Sequence, residues 1–434
     1  MTLDRQGNPL AGATPAATEA FDEGMECFAL YRGDPIAAFG RAVAVAPGAA
    51  LPHLALGWLF ALATEPAAAD IARGHLARGH ALATDDRAFA HAGALAAVLD
   101  GNWSQAAVRL ERWQAEAPRD LLSLMAGHLC DFFRADARAL RDRVAMVLPD
   151  WRGVPGESWV TGMAAFGFEE AGDYRRAEAL GRAAVEADPR DGWAHHAVAH
   201  VLEMQGRARE GLAWMAVREA HWADETNYLR GHNWWHRALC HIEAGEPEAA
   251  LALYDGPMQG GGNPVAVALC DASALLWRLE MTGIDVGDRW HRLAALWPAH
   301  AETRLYPFND LHAAMAWLGA GDFDRVEAML AGVPGPGEAG EWTARIGRPL
   351  IAGFRAFRAG DYVAAVESLM PVRRIAAAFG GSHAQRDVID WTLAEAAIRG
   401  RLPGLARRLA AERLALRPQS PVNLSLASRA AALV

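Results

Sequence analysis

The chain has 434 residues, 52% of them hydrophobic, and a formal net charge of −10, so it can bury a core but lacks the basic patch of nucleic-acid-binding proteins. All 42 basic residues are arginine, which excludes a Walker-type phosphate loop, a Schiff-base lysine and a pyridoxal-phosphate anchor. The four cysteines form no C-x-x-C pair, and no apolar run reaches the roughly 18 residues of a membrane span. These features predict a cytoplasmic protein that binds neither nucleic acid nor membrane, and they leave its oligomeric state open.

A recurring turn divides the chain into helical hairpins. In segments such as "AGDYRRAEAL" (171–180) and "AGEPEAALAL" (244–253), a helix ends on Gly and a second helix starts after a short polar turn. The turn glycines are Gly33, Gly101, Gly172, Gly206, Gly245, Gly283, Gly321, Gly360 and Gly400. They lie about 34–40 residues apart, the period of tetratricopeptide (TPR) arrays. The first two intervals are twice as long, which predicts two turns without Gly near residues 67 and 135.

Small residues recur seven positions before these glycines, where two helices of a hairpin must approach closely. They are Ala94, Ala165, Ala199, Ala238, Ala314 and Gly353. The period and these small residues predict an all-α fold, a right-handed superhelix of about eleven TPR-like hairpins. We expect one repeat domain over 1–434, with N-terminal hairpins in 1–150, central hairpins carrying the site in 151–330 and C-terminal hairpins in 331–434.

The ordered motifs also resemble a known family. They include "WVTGMAAFGFEEAGDYRRAEALGRAAVEADPRDGWAHHAVAHVLEMQGRAREGLAWM" (159–215), "HNWWHRALCHIEAGEPEAALALYD" (232–255), "DASALLWRLEM" (271–281), "FNDLHAAMAWLGAGD" (308–322) and "GGSHAQRDVID" (380–390). With "DRQGNPLAGA" (4–13) and "LPHLALGWL" (51–59), they resemble the tetratricopeptide repeat protein 38 family almost from end to end. The resemblance implies a single α-helical superhelix and carries no established reaction.

Histidines cluster on the first helices of two consecutive hairpins. Residues 13, 10, 6 and 3 positions before each turn Gly share one helix face, which in such arrays lines the concave groove. That face includes His196, His200 and Glu203 in one hairpin and His232, with His236 at its edge, in the next. Because adjacent helices lie about 10 Å apart, these side chains are expected to meet across the groove. Asp271 lies beside the same face of the following first helix.

Three interpretations of the cluster remain open. In a metal-free acid–base site, His196, His200, His232 and His236 are catalytic, and Glu203 or Asp271 orients an imidazole. In a metal site the same four histidines bind zinc, although the H-E-x-x-H signature is absent. In the structural interpretation the histidines only pack. The sequence favours the first, with no cofactor and with zinc as the alternative, and it places His241 in the core, facing the second helix.

Aromatic and polar residues around the histidines predict a small-molecule pocket. The expected substrate-binding residues are Trp159, Asn233, Trp235, His312, His383, Arg386 and Asp387. Arg386 suits a substrate carboxylate, provided that the superhelix curls far enough to bring residues 383–387 over the groove. The favoured function is binding of a small organic molecule or short peptide, with hydrolysis by histidine acid–base chemistry. The alternative is a non-enzymatic TPR scaffold that binds a protein partner in its groove.

Overall fold

The computed structural model describes residues 2–259, 265–301 and 305–433. The chain divides into two compact units. The first unit comprises Met1–Val198, Ala220–Arg230 and Pro336–Ala339, and the second comprises Ala199–Glu219, Gly231–Gly335 and Gly340–Val434. The expectation of one continuous repeat domain stays a prediction.

The described residues are almost entirely helical. The α-helices in the first half of the chain are α1 Pro15–Leu30, α2 Pro35–Val45, α3 Ala50–Leu62, α4 Pro66–Leu82, α5 Asp86–Leu99, α6 Trp103–Glu116, α7 Leu121–Phe133, α8 Ala137–Val147, α9 Glu157–Glu170, α10 Tyr174–Ala187, α11 Gly192–Met204 and α12 Ala208–Val217. Those that follow are α13 Glu219–Trp222, α14 Arg230–Glu243, α15 Pro247–Asp255, α16 Ala266–Thr282, α17 Arg289–Leu296, α18 Pro307–Gly319, α19 Phe323–Ala331, α20 Gly337–Trp342, α21 Arg348–Arg358, α22 Tyr362–Val372, α23 His383–Arg399, α24 Pro403–Leu416 and α25 Pro421–Ala431.

Short elements accompany these helices. Four 3₁₀ segments lie at Leu148–Trp151, Pro257–Gln259, Trp297–Ala299 and Ala376–Phe379, and a π-helical turn spans Thr343–Gly347. Two strands, β1 Thr2–Leu3 and β2 Pro9–Leu10, pair antiparallel. At two residues each, they are too short to show the alternating pattern that identifies a strand in a sequence.

Eleven helical hairpins account for most of these helices, which confirms the predicted all-α, TPR-like repeat. They are α1–α2, α3–α4, α5–α6, α7–α8, α9–α10, α11–α12, α14–α15, α16–α17, α18–α19, α21–α22 and α23–α24. The two turns predicted without Gly have left-handed residues at Thr64 and Ala135. The prediction that Gly400 is the left-handed turn residue is wrong by one position. Gly400 has φ −75°, and Arg401 takes the left-handed conformation at φ 54°.

An aspartate fixes the start of many second helices. Asp34, Asp136, Asp173, Asp322 and Asp361 directly follow the left-handed turn residue, and each side chain accepts a hydrogen bond from the backbone N–H three residues later. Such a cap satisfies one of the donors that a helix N-terminus leaves unpaired. The Gly–Asp step therefore ends one helix and starts the next.

Close contact within each hairpin depends on the recurring small residues. Ala94, Ala165, Ala199, Ala238 and Ala314 are completely buried. At Gly353 an added Cβ would lie 2.6 Å from the Leu369 side chain, closer than real contacts allow. In the described part of the chain, none of the helices combines the length and the apolarity that crossing a bilayer requires.

Candidate active site in the second unit

Three helices of the second unit bring histidines and carboxylates together. Helix α11 carries His200 and Glu203, helix α14 carries His232 and His236, and helix α16 carries Asp271. Spacings of three and four residues put each pair on one helix face. All five side chains are buried except that of His232, which remains 10% exposed. The cluster therefore lies in the packed interior and reaches its edge at His232.

Glu203 and His236 form the deeper of two histidine–carboxyl pairs. The Nδ1 atom of His236 lies 3.0 Å from a carboxyl oxygen of Glu203. Burial raises the pKa of Glu203 to about 7, although the guanidinium groups of Arg417 and Arg278 favour its ionised form. Burial thus favours the protonated form of the Glu203 carboxyl. A protonated carboxyl donates to Nδ1 and leaves the ring proton of His236 on Nε2.

Asp271 and His232 form the second pair. The Nδ1 atom of His232 donates to the Asp271 carboxylate over 2.7 Å. Trp235 stacks on the His232 ring, with centroids 5.3 Å apart and planes within 13°, and it meets the His236 ring edge-on. Such packing holds both rings in place. An aspartate that orients a histidine in this way leaves Nε2 as a proton acceptor.

The two pairs converge. The Nε2 atoms of His232 and His236 lie 3.2 Å apart. The ring of His200 has its centroid 4.3 Å from that of His236. Burial, with the nearby histidines next in importance, lowers the pKa of both His200 and His236 well below the ordinary value. Both rings are therefore neutral at physiological pH, and His200 adds a third imidazole to the convergence.

The start of helix α23 lies near the histidines. Ser382 and Gln385 form a capping box that fixes the first turn of the helix. Arg386 donates to the Gly381 carbonyl and, over 3.3 Å, to Nδ1 of His383. Both His383 and Arg386 lie close enough to His200 to contribute to the lowering of its pKa. The second unit thus brings these two residues toward the cluster, which the sequence made conditional on the curl of the repeats.

Asp387 belongs to an ion-pair network. It accepts two hydrogen bonds from Arg413, at 2.9 and 3.1 Å, and one from Arg417, at 2.9 Å. Despite burial, these two guanidinium groups hold the pKa of Asp387 well below its usual range. The Asp387 carboxylate, which the sequence predicts to bind substrate, is therefore paired with two arginines of the same chain. This pairing favours a structural role for Asp387.

The remaining predicted residues of the second unit lie on α14 and α18. Asn233 is fully buried, and so is Trp235. The Nδ1 atom of His312 donates to the Phe308 carbonyl over 2.8 Å. Burial lowers the pKa of His312 to about 4, so this ring is neutral at physiological pH.

Two predicted residues lie in the first unit. The indole of Trp159 donates to Asp188 over 3.2 Å. His196 packs against Phe166 and Trp193, with ring centroids 5.2 and 4.9 Å away. On helix α11, His196 precedes His200 by one turn.

His241 differs from the sequence expectation. Its side chain is 17% exposed, and its Nδ1 atom lies 2.9 Å from the Glu246 carboxylate in the following turn. The assignment of His241 to the core is therefore wrong. His241 lies on α14 and its partner Glu246 precedes α15, so this histidine–carboxylate pair lies outside the convergence and serves as a control.

Sequence reasoning missed Arg278, a buried cation of the second unit. Arg278 donates to the Ala384 carbonyl over 2.8 Å and lies over the Trp235 ring, 5.5 Å from its centroid. Its charge also contributes to lowering the pKa of His236. The residue lies outside the predicted groove-facing positions, and its signal in the sequence is an arginine inside the apolar run "ALLWRLEM".

Trp277 on helix α16 packs elsewhere in the second unit. Its ring contacts Phe354 and Phe357, and its indole donates to Thr392 over 3.0 Å. A cleft of about 320 Å³ beside it is lined by Arg358 and Arg399 as well, and by no histidine. This cleft is therefore separate from the histidine cluster.

No family model matches the chain, and solved structures of helical-repeat proteins are similar to it in fold. A chain of the crystal structure of the APC/C hetero-tetramer Cut9–Hcn1 is 13% identical, with a TM-score of 0.41 over 95% of this chain and 76% of that chain. A chain of the human IFIT1 dimer with m7Gppp-AAAA is 14% identical, with a TM-score of 0.44 over 96% of this chain and 94% of that chain. The eleven hairpins define the architecture. The chain is an all-α, TPR-like helical-repeat protein.

Proposed function

We propose that the second unit carries an acid–base site that hydrolyses a small acyl compound, an ester or an amide of a small organic molecule or short peptide. One observation carries the proposal: a buried histidine–carboxyl pair and a second pair, which reaches the edge of the packed interior at His232, face each other through Nε2 atoms 3.2 Å apart. Burial raises the pKa of Glu203 to about 7, in the range where a carboxyl group can supply a proton at neutral pH.

Each pair has one role in the reaction. His232, oriented by Asp271, takes a proton from water at Nε2 as the water oxygen bonds to the acyl carbon. His236 gives its Nε2 proton to the leaving oxygen or nitrogen as the bond to the acyl carbon breaks, and the Glu203 carboxyl supplies a proton to Nδ1. Transfer of the proton from His232 back through His236 to Glu203 restores the starting state. Water is consumed, and one acid and one alcohol or amine are released.

Substrate enters at His232, the partly exposed member of the cluster. Arg386 lies near His200 and carries the positive charge that would bind a carboxylate group of the substrate. Trp235, stacked on His232, provides an apolar surface beside the reacting atoms. A substrate that contains a carboxylate and an acyl bond fits these groups best.

Hydrolysis of 4-nitrophenyl acetate and of a panel of N-acyl amino acids tests the proposal. His232→Ala is expected to lower kcat/KM about 100-fold or more, because general acid–base groups contribute about that factor. His241→Ala is the matched control, since His241 lies on the same helix and also pairs with a carboxylate. If wild type, His232→Ala and His241→Ala all hydrolyse these probes at one rate, the hydrolase proposal is wrong and the alternative of a protein-binding scaffold is favoured.

Membership of the tetratricopeptide repeat protein 38 family is a second part of the proposal. It rests on the ordered motifs of residues 4–13, 51–59, 159–215, 232–255, 271–281, 308–322 and 380–390. The test is whether members of that family carry His232, His236 and Asp271 at aligned positions. Their replacement by apolar residues in most members would count against a shared site.

A further inference from the structure

We infer that His200, His232 and His236 form a binding site for a divalent transition metal ion of the zinc class. All three residues belong to the second unit, and their imidazole nitrogens offer ligand atoms within 4.8 Å of one another. The inference rests on the proposed function only in assigning the same cluster. Metal binding and hydrolysis are measured separately.

The distance between the two Nε2 atoms matches a metal site. Zinc–imidazole bonds are about 2.05 Å long, so two ligands of a tetrahedral ion lie about 3.3 Å apart. The observed separation between His232 and His236 is 3.2 Å. An N–H···N hydrogen bond also fits this distance, but such a bond involves only two rings. A third imidazole completes the usual protein ligand set of a catalytic zinc ion.

His200 supplies that third imidazole. Its ring centroid lies 4.3 Å from that of His236, on a neighbouring helix. His232 and His236 come from one turn of helix α14, and the rings lie 4.8 Å apart at 86° to each other. Three neutral nitrogen ligands leave one tetrahedral position for water or substrate.

The carboxylates support the same interpretation. Histidines that bind metals usually donate their other ring N–H to a carboxylate or a carbonyl, which orients the ring and increases its basicity. Here Asp271 lies 2.7 Å from Nδ1 of His232, and Glu203 lies 3.0 Å from Nδ1 of His236. Two of the three proposed ligands, His232 and His236, therefore have a carboxyl group at Nδ1, the ring nitrogen that would not bind the metal.

Zinc is the ion that this ligand set favours. Imidazole is a good ligand for zinc, copper and nickel, whereas calcium and magnesium prefer oxygen ligands. When bound, zinc makes its coordinated water a stronger acid and a nucleophile near neutral pH. His200, His232 and His236 would hold the ion, and the acid–base roles proposed above for His232 and His236 apply to the protein without metal.

The experiment measures zinc binding by the full chain after treatment with a chelator. Zn²⁺ is titrated in competition with a chromophoric chelator, and Co²⁺ absorption reports the coordination number. We expect one zinc ion per chain and an increase of Tm on binding. His200→Ala, His232→Ala and His236→Ala should each lower the affinity at least 100-fold.

Two further variants separate ligand loss from misfolding. Asp271→Asn keeps the shape of the side chain and a hydrogen-bonding group, and it should lower zinc affinity 10- to 100-fold. His241→Ala should bind zinc as the wild type does. Absence of stoichiometric zinc binding by the wild type, or equal loss in His241→Ala and His232→Ala, overturns the inference.

The outcomes also distinguish this inference from the proposed function. Zinc binding that depends on the three histidines, without hydrolysis of any probe, supports the metal site and rejects the hydrolase proposal. Hydrolysis that depends on His232 and persists in chelator-treated protein that binds no zinc rejects the metal site and supports the metal-free mechanism.

Discussion

Replacement of Asp191 by Asn should favour the variant over the wild type in stability, by an amount that grows as the pH rises. Asp191 lies in the first unit just before helix α11 and is 1% exposed. Its Oδ1 atom accepts a hydrogen bond from the Ala194 N–H over 2.9 Å, and among the described residues its Oδ2 atom has no hydrogen-bond partner. Burial raises the pKa of Asp191 from 3.8 to about 7, and the negative charge of nearby Asp188 adds to this rise.

The direction of this pH dependence follows from proton linkage. Between about pH 4 and pH 7 the unfolded chain releases the Asp191 proton while the folded protein keeps it, so the unfolded state gains stability with rising pH. The free energy of unfolding falls by about 1.4 kcal/mol for each unit of pKa difference, which gives about 4 kcal/mol in total. This loss is complete above pH 7 and absent below pH 4.

Asn has nearly the same shape, carries no titrating proton and is an equally good helix N-cap. The difference in unfolding free energy between Asp191→Asn and wild type should therefore grow by up to about 4 kcal/mol from pH 4 to pH 8. Differential scanning calorimetry at pH 4, 6 and 8 should show this difference as a change in Tm. For a unit as large as the first one, the Tm difference between Asp191→Asn and wild type should widen by roughly 8 to 16 °C.

Asp188→Asn is the matched control, because its effect on stability should have the opposite direction. It is only partly buried, and hydrogen bonds from Arg190 and Trp159 lower its pKa in spite of that burial. Asp188→Asn should thus lose stability, and the loss should be larger at pH 8 than at pH 3. A constant Tm gap between Asp191→Asn and wild type from pH 4 to pH 8 would refute the reasoning for Asp191.

Two further stability predictions concern the first unit. Asp120→Ala should lower the unfolding free energy in urea titrations by about 3 kcal/mol, because it removes a buried partner of Arg87. Despite burial, Arg87 holds the pKa of Asp120 below its usual range. The difference in unfolding free energy between Asp120→Ala and wild type should therefore shrink as the pH falls below about 4. A difference that does not change with pH would contradict this prediction. Gly167→Ala should destabilise by about 1 kcal/mol or more, since the new Cβ would lie 2.7 Å from the Leu140 carbonyl. Gly74→Ala, in an exposed helix position with open space around it, should instead stabilise by about 0.5–1 kcal/mol, and equal effects of the two changes would be inconsistent with this account.

The repeat was predictable because its signals are local. A left-handed residue followed by an Asp N-cap ends one helix and starts the next, and both features can be read within a few residues. Sequence reasoning placed one turn at residue 135, where Ala135 is left-handed, and another at 67, three residues after Thr64. It failed at Arg401, because Gly400 is the residue that usually takes this conformation.

The candidate site was predictable only as a set of helix faces. The repeat register places His232 and His236 on one face of α14 and Glu203 near them on α11. It could not assign Asp271 to His232 and Glu203 to His236, because those contacts join residues more than 30 positions apart. It also missed Arg278, whose place at the cluster depends on how α16 packs against α23.

By itself, the sequence determined the helical hairpins, their period and the clustering of histidines on two first helices, since these follow from local backbone preferences and from the 3.6-residue helical period. Only the tertiary structure decided which imidazole meets which carboxyl and how deeply each lies. Burial then gave Glu203 a pKa near 7, and helix packing placed two Nε2 atoms 3.2 Å apart. Both properties arise from dehydration and long-range contact, which no local pattern of residues specifies.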